Sequence, residues 1–192
     1  EISQLFGEIL GLYIYNLWQK KINTNFNLIE LGPGRGTLIS DILRITKSFD
    51  KFHNLIKLNL IEINKKLIEL QKKNLQKINF NLKKVIWHNS FRTNSTKPSI
   101  IFANEFFDCF PIKQFIKTNY LWNEKKVNFN KKEESLFVYN NIVNDASLIS
   151  KLDNYAIKYN YTDDQIIEIS SKREIYFDKI CKFIKKNSGI LI

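Results

Sequence analysis

The sequence has no methionine, and only two cysteines, two histidines, three prolines and six glycines among its 192 residues. Each scarcity excludes something. Cys109 and Cys181 stand far apart without C-x-x-C spacing, which argues for a reducing compartment and against a zinc site; both read as small buried hydrophobes. His53 and His88 have no cysteine or carboxylate beside them in metal-ligand spacing, so no metal is expected. The apolar run at residues 9–15 is too short to span a bilayer, and no signal-peptide pattern opens the chain. The sequence therefore reads as soluble and cytoplasmic, without a membrane span. The lack of methionine, a beginning inside a helix start and an end at Gly189-Ile190-Leu191-Ile192, an unfinished buried strand, together read as a fragment of a longer protein.

What is abundant is lysine, asparagine, isoleucine and phenylalanine. With 44% hydrophobic residues and 15 phenylalanines, the chain can bury one sizeable core, so a single domain is the expectation. The formal net charge of +11 does not by itself indicate a nucleic-acid surface. The pairs Lys65-Lys66, Lys72-Lys73, Lys125-Lys126 and Lys185-Lys186 are scattered over amphipathic segments and form no continuous basic stripe. No nucleic-acid partner is expected.

Apolar positions Ile2, Leu5, Phe6, Ile9, Tyr13 and Leu17 give residues 1–20 the spacing of an amphipathic helix. Ser3, Gly7 and Gly11 add a small-residue stripe to it, suited to close helix packing or to a ligand. Next come a strand at 28–31, a glycine turn at 32–36 and a helix over 37–47. A strand at 58–62, a helix over 65–77 and strands at 84–87 and 99–103 continue the alternation. Such alternation predicts an α/β fold with a mainly parallel sheet and helices on both faces. Segments 112–117, 120–127 and 136–139 read as β-hairpins. The asparagine-rich stretch 140–164 reads as a partly ordered loop. A strand at 166–169, a helix over 172–186 and a strand at 190–192 resume the alternation. Residues 1–110 thus form a cofactor-binding half, 111–165 a β-rich insertion and 166–192 a return to the sheet.

Glu30-Leu31-Gly32-Pro33-Gly34-Arg35-Gly36-Thr37 falls where the first strand turns into a helix, and its glycines remove the Cβ atoms that would hold a ligand off the backbone. The spacing G-x-G-x-G differs from the G-x-G-x-x-G of dinucleotide folds and suits a cofactor without phosphate, such as S-adenosylmethionine (SAM). A tight structural turn is the competing reading. Glu62 ends the second strand at the same sheet edge, where a carboxylate accepts from both ribose hydroxyls. Glu30 is read as holding the N–H groups of the turn and meeting the cofactor only through water. After the third strand, Asn89 and Ser90 are candidates for the adenine edge, with a plain strand-end turn equally open.

Three blocks in order carry a resemblance. They are Glu1-Ile2-Ser3-Gln4 with Phe6-Gly7-Glu8; Leu28 to Leu38 with Asp41-Ile42-Leu43-Arg44; and Ala103-Asn104-Glu105-Phe106-Phe107-Asp108 followed by Pro111. Together they resemble the MidA family of methyltransferases. The resemblance implies a class I SAM-methyltransferase, Rossmann-like fold with SAM as cofactor. It also implies a protein substrate, an arginine in a peripheral-arm subunit of respiratory complex I, whose assembly the methylation aids. The compartment implied is the cytoplasm in a bacterium and the mitochondrial matrix in a eukaryote; a homodimer is left open. A noncatalytic SAM-binding assembly chaperone is the alternative. On this reading Gly32, Pro33, Gly34, Gly36, Thr37, Glu30, Glu62, Asn89, Ser90 and Asn104 bind the cofactor.

A guanidinium is always protonated, so a site that methylates it must fix its plane with a carboxylate. Glu105 is the first candidate and Asp108 the second; Glu8, near the small-residue stripe, is a third. Asp108 is equally placed to cap a helix starting near Pro111. Phe106 and Phe107 wall the site or pack in the core.

Overall fold

The computed structural model describes residues 3–91 and 95–192; Glu1 and Ile2 of the first block lie outside the described residues. The chain divides into two compact units, Glu1–Cys109 with Tyr176–Ile192, and Phe110–Ile175.

The first unit runs through helix α1 (Gln4–Lys21), strand β1 (Phe26–Leu31), α2 (Thr37–Ile45), α3 (Asp50–Leu55), β2 (Ile56–Ile61), α4 (Lys65–Lys77), β3 (Val85–His88) and β4 (Ser99–Phe102). The second holds β5 (Lys113–Thr118), β6 (Leu121–Asn130), β7 (Ser135–Ile142), α5 (Ala146–Tyr159) and β8 (Ile166–Ile169). Helix α6 (Ser171–Asn187) begins in the second unit and ends in the first, where β9 (Ile190–Leu191) follows.

In the first unit, five parallel strands lie in the order β3-β2-β1-β4-β9. Strand β1 is central and buried at all six positions, as a strand covered on both faces must be. One face packs Leu28, Leu58, Leu60 and Ile100 against Ile14 and Trp18 of α1, Leu38, Ile39 and Ile42 of α2, Phe52 of α3 and Leu75 of α4. The other packs Ile29, Leu31, Ile61 and Ile101 against Ile180 and Phe183 of α6. The predicted parallel sheet with helices on both faces is what the chain forms.

The small-residue stripe is a helix-packing device. A Cβ on Gly11 would lie 2.6 Å from Ile45 Cγ2 and 3.0 Å from the Ile42 Cα, and one on Gly7 would lie 2.7 Å from Asp41 Cβ. Helix α1 begins at Ser3, whose hydroxyl accepts from the Phe6 N–H, and Glu8 is committed to Arg44 at 2.9 Å, which also binds Asp41 at 3.0 Å. Glu8 is thus engaged in an ion pair between α1 and α2.

On the α6 face a chain of polar side chains crosses four strands. Asn27 Nδ2 donates to Ser99 Oγ (3.2 Å) and to Ser95 Oγ (2.8 Å), Asn59 Nδ2 donates to Asn27 Oδ1 (3.3 Å), and the His88 ring nitrogen Nε2 donates to Asn59 Oδ1 (3.0 Å).

The second unit is an antiparallel sheet in the order β7-β6-β5-β8 with α5 against it, its core made by Phe115, Trp122, Leu152, Ile167 and Ile169. The β5–β6 hairpin turns on Asn119 and Tyr120, both at positive φ (50° and 64°), as in a two-residue type I′ hairpin.

Four expectations are corrected. The stretch 140–164 is not a loop: it holds the end of β7 and helix α5, which Asp145 caps by accepting from the Ser147 and Leu148 N–H groups at 2.8 and 3.1 Å. Buried Leu152, with partly buried Leu148 and Ala156, makes the apolar stripe that the asparagine-rich composition obscured. Strand β8 pairs with β5, so only α6 and β9 return to the parallel sheet. Asp108 caps no helix near Pro111; it sits in a single 3-10 turn, Phe107–Cys109, and the chain goes on as strand β5. Both cysteines are exposed rather than buried. No helix among the described residues is long and apolar enough to cross a membrane.

Candidate functional site

The polypeptide leaves the carboxyl end of β1 through three alternate glycines in the left-handed conformation, Gly32 (φ 65°), Gly34 (φ 54°) and Gly36 (φ 76°), a backbone region that L side chains rarely tolerate. Their surroundings differ. A Cβ on Gly32 would stand 2.7 Å from the Phe106 ring, and one on Gly36 would stand 3.0 Å from the Gln71 side chain. A Cβ on Gly34 would meet nothing within 4 Å. Packing thus explains two of the glycines, while the third faces open space.

That space is a cavity of about 540 Å³ lined by Glu30, Gly32, Pro33, Gly34, Arg35, Thr37, Leu38, Asn104 and Glu105. Strand β1 supplies Glu30, the turn and the first residues of α2 supply the next six, and the segment after β4 supplies Asn104 and Glu105. Because β1 and β4 are neighbours in register, with Glu30 beside Phe102, the residues that follow each strand emerge at the same sheet edge.

Glu30 is 3% exposed, and its Oε2 is buried with no hydrogen-bond partner among the described residues. Burial with no compensating cation pushes its pKa up to about 8. The expectation that it holds the turn's N–H groups is not met: the Gly32 N–H donates to Ile61 O and the Gly36 N–H to Pro33 O. An orphaned buried carboxylate at a cavity wall is a site that a cationic group completes.

Glu105 is exposed, lines the cavity and adopts a left-handed conformation at φ 53°, a strain of roughly 1–2 kcal/mol for a residue with a Cβ. Phe106 lies over Gly32 and makes ring contacts with Phe107 (5.4 Å between centroids) and Tyr176 (5.3 Å). Both phenylalanines pack against the α6-side core.

Glu62, just past β2, does not line the cavity, but it is tied to the turn. Its Oε1 accepts from the Asn64 N–H at 2.9 Å, and its Oε2 accepts from Gln71 Nε2 at 3.4 Å; the same nitrogen donates to Gly34 O at 2.7 Å. Asn89 and Ser90 are exposed just after β3, and Asp108 is exposed beyond Glu105; none of the three lines the cavity. The structure thus brings together Glu30, Gly32, Pro33, Gly34, Thr37, Asn104 and Glu105, with Gly36 and Glu62 adjoining. Sequence reasoning missed Arg35, Leu38 and, above all, Gln71. The signal for Gln71 was a polar residue on the apolar stripe Ile68, Gln71, Leu75 of α4.

A parallel sheet with a glycine turn after its central strand and a strand-end acid beside it defines a nucleoside-cofactor fold of the methyltransferase type. The comparisons sharpen that class. Residues 9–192 match a family model described as "Putative S-adenosyl-L-methionine-dependent methyltransferase", and the chain belongs to that family. Among curated proteins it is similar to "Protein arginine methyltransferase NDUFAF7, mitochondrial" of Rattus norvegicus, 33% identical over 147 residues, which cover 65% of this chain and 33% of that protein. The Homo sapiens protein of the same name is also 33% identical over 147 residues, with the same coverage. The chain spans about a third of the length of these relatives. A Burkholderia thailandensis crystal structure bound to S-adenosyl-homocysteine superposes with a TM-score of 0.74 over 95% of this chain and 45% of that one, at 15% identity, a likeness of fold. The resemblance to the MidA-type methyltransferases and the class I fold are borne out, and SAM is the family's cofactor.

The cavity residues fit that cofactor. Its amino group and sulfonium are cationic, and the cavity offers two carboxylates, one of them buried and unpartnered. Gly34 leaves room for it, and Glu62 is within reach of the same turn.

Proposed function

We propose that the chain is the cofactor-binding part of a SAM-dependent protein-arginine N-methyltransferase that acts on a peripheral-arm subunit of respiratory complex I and so aids its assembly. The observation that carries the reading is Glu105: a carboxylate held in a left-handed conformation at the wall of the cavity formed by the glycine turn. The relatives' printed name supports arginine as the acceptor.

SAM supplies an electrophilic methyl group on a sulfonium. This chain's residues do the rest. Glu30 receives the cofactor's ammonium, Glu62 the ribose hydroxyls, and Asn89 and Ser90 the adenine edge, while Gly32 to Thr37 and Asn104 shape the cradle. Glu105 pairs with the substrate guanidinium, fixing its plane and offsetting its charge, with Asp108 as a second carboxylate outside the cavity. Phe106 closes the turn against water. The reaction is helped chiefly by orientation and electrostatics.

The test is methyl transfer by the full-length protein to complex I subunits and to arginine peptides, with SAM binding measured by calorimetry in parallel. Transfer to an arginine supports the enzyme. SAM binding without transfer to any arginine overturns the arginine methyltransferase and favours the noncatalytic assembly chaperone.

A further inference from the structure

Gln71 is fully buried on α4, yet no part of the reaction above uses it. Its carboxamide makes three contacts, each to an element of the cofactor site or to a tryptophan beside it. Nε2 donates to the Gly34 carbonyl at 2.7 Å and lies 3.4 Å from Glu62 Oε2, while Oε1 accepts from the Trp87 indole N–H at 2.9 Å. One turn further along α4, Asn74 Nδ2 donates to the Arg35 carbonyl at 2.9 Å. Two successive carbonyls of the glycine turn are therefore held by one helix.

We infer that Gln71 is a positioning residue of the cofactor site: it sets the distance between the glycine turn and Glu62 and fixes the direction of the Gly34 peptide. The inference rests on the reading of the cavity as the SAM site. Three facts support it. Gly34 adopts φ 54° although nothing within 4 Å of a Cβ demands a glycine there, so its conformation is set by the turn and its tethers rather than by packing. In a trans peptide the N–H points opposite to the carbonyl, so binding Gly34 O to α4 turns the Arg35 N–H away from α4. And the Trp87 N–H can only donate, which makes the carboxamide oxygen its acceptor and leaves the nitrogen to serve both Gly34 and Glu62. The amide orientation is thereby specified from behind, by a half-buried indole.

Gln71→Met keeps an unbranched side chain of similar length on α4 and removes the amide. The KM for SAM should rise on the order of tenfold to a hundredfold, the cost of leaving buried partners unpaired, while kcat at saturating SAM and the KM for the protein substrate stay within about twofold. A merely structural glutamine would lower the thermal midpoint and leave the KM for SAM unchanged; that result overturns the inference. The unsubstituted full-length protein provides a second reading that does not depend on the variant folding. Saturating SAM should shift the tryptophan fluorescence, and the part of that shift carried by Trp87, one of three tryptophans in these 192 residues, should be missing from Trp87→Phe. SAM binding seen by calorimetry with unchanged Trp87 emission would overturn the inference while leaving the cavity's function intact. Absence of SAM binding by the wild-type protein would overturn the reading of the cavity, and Gln71's role with it.

Discussion

Replacing Glu30 by glutamine tests whether its carboxylate is an uncompensated acid waiting for a cation. Its pKa is pushed up to about 8 from an ordinary 4.5 by burial alone. A carboxylate raised in the folded state takes up its proton more readily there than in the unfolded chain. Stability from this source is thus fully present below pH 4.5 and is lost as pH rises through the folded value near 8. The whole window is worth about 5 kcal/mol, of which about 3 falls between pH 5.5 and 8, at roughly 1.36 kcal/mol per pH unit. Against a total stability of about 5–15 kcal/mol that is a large effect. Glu30→Gln keeps the shape and carries no charge at any pH, so this decline should vanish. The assay is urea unfolding of the full-length protein without SAM at pH 5.5 and 8.5, followed by circular dichroism. The wild-type midpoint should fall by about 1 M or more relative to the variant's. Saturating SAM should flatten the wild-type dependence, because a cation beside Glu30 favours the ionised form, and SAM affinity should rise with pH up to about 8. Unfolding energies whose difference between wild type and variant is the same at both pH values would refute the account of Glu30.

Gly34→Val should cut SAM affinity at least tenfold with a modest loss of stability, since the side chain enters open space but cannot easily hold φ 54°; calorimetry with unchanged affinity would make the turn structural only. Glu105→Gln should slow arginine methylation by about a hundredfold or more, an effect of roughly 2–5 kcal/mol, with SAM affinity nearly unchanged; a parallel loss of both would make Glu105 a cofactor residue. Gly11→Leu should destabilise the first unit by about 1–3 kcal/mol, because the Ile42 backbone is already 3.0 Å from a Cβ at that position; an unchanged thermal midpoint would show that α1 can shift. Asp145→Ala should cost about 1 kcal/mol through the lost cap of α5, read from the urea midpoint.

Much of the parallel half was legible because its signals are local and periodic. Helix α4 was expected over residues 65–77 and found at Lys65–Lys77, since Asn64 caps it and its buried stripe is regular. The glycine turn and the acid after β2 were legible because backbone conformation and topology dictate them. Helix α5 was hidden by the asparagines that flank it, Asn140, Asn141 and Asn144 before it and Asn160 after it, and β8 looked like a strand of the parallel sheet because four apolar-rich residues do not announce their partner. Gln71 stood out as a polar residue on an apolar stripe, but its partners were invisible for a different reason. Its contacts, Gly34, Glu62 and Trp87, are 37, 9 and 16 positions away in the chain, and only the fold brings them to one amide.

The polar chain from His88 through Asn59 and Asn27 to Ser99 bears on how the site is assembled. Apolar strands buried on both faces can slide past one another with little change in what they bury, so hydrophobicity alone aligns them weakly. Side-chain hydrogen bonds at fixed positions remove that freedom, because a slip of one residue would turn Asn27 or Asn59 into the opposite, apolar layer and strand its amide there. Alignment of β1 with β2 is what sets Glu30 beside Leu60 and Leu31 beside Ile61, and hence what brings the glycine turn level with Glu62. The amides far down the strands act as an index mark for a cavity they never touch.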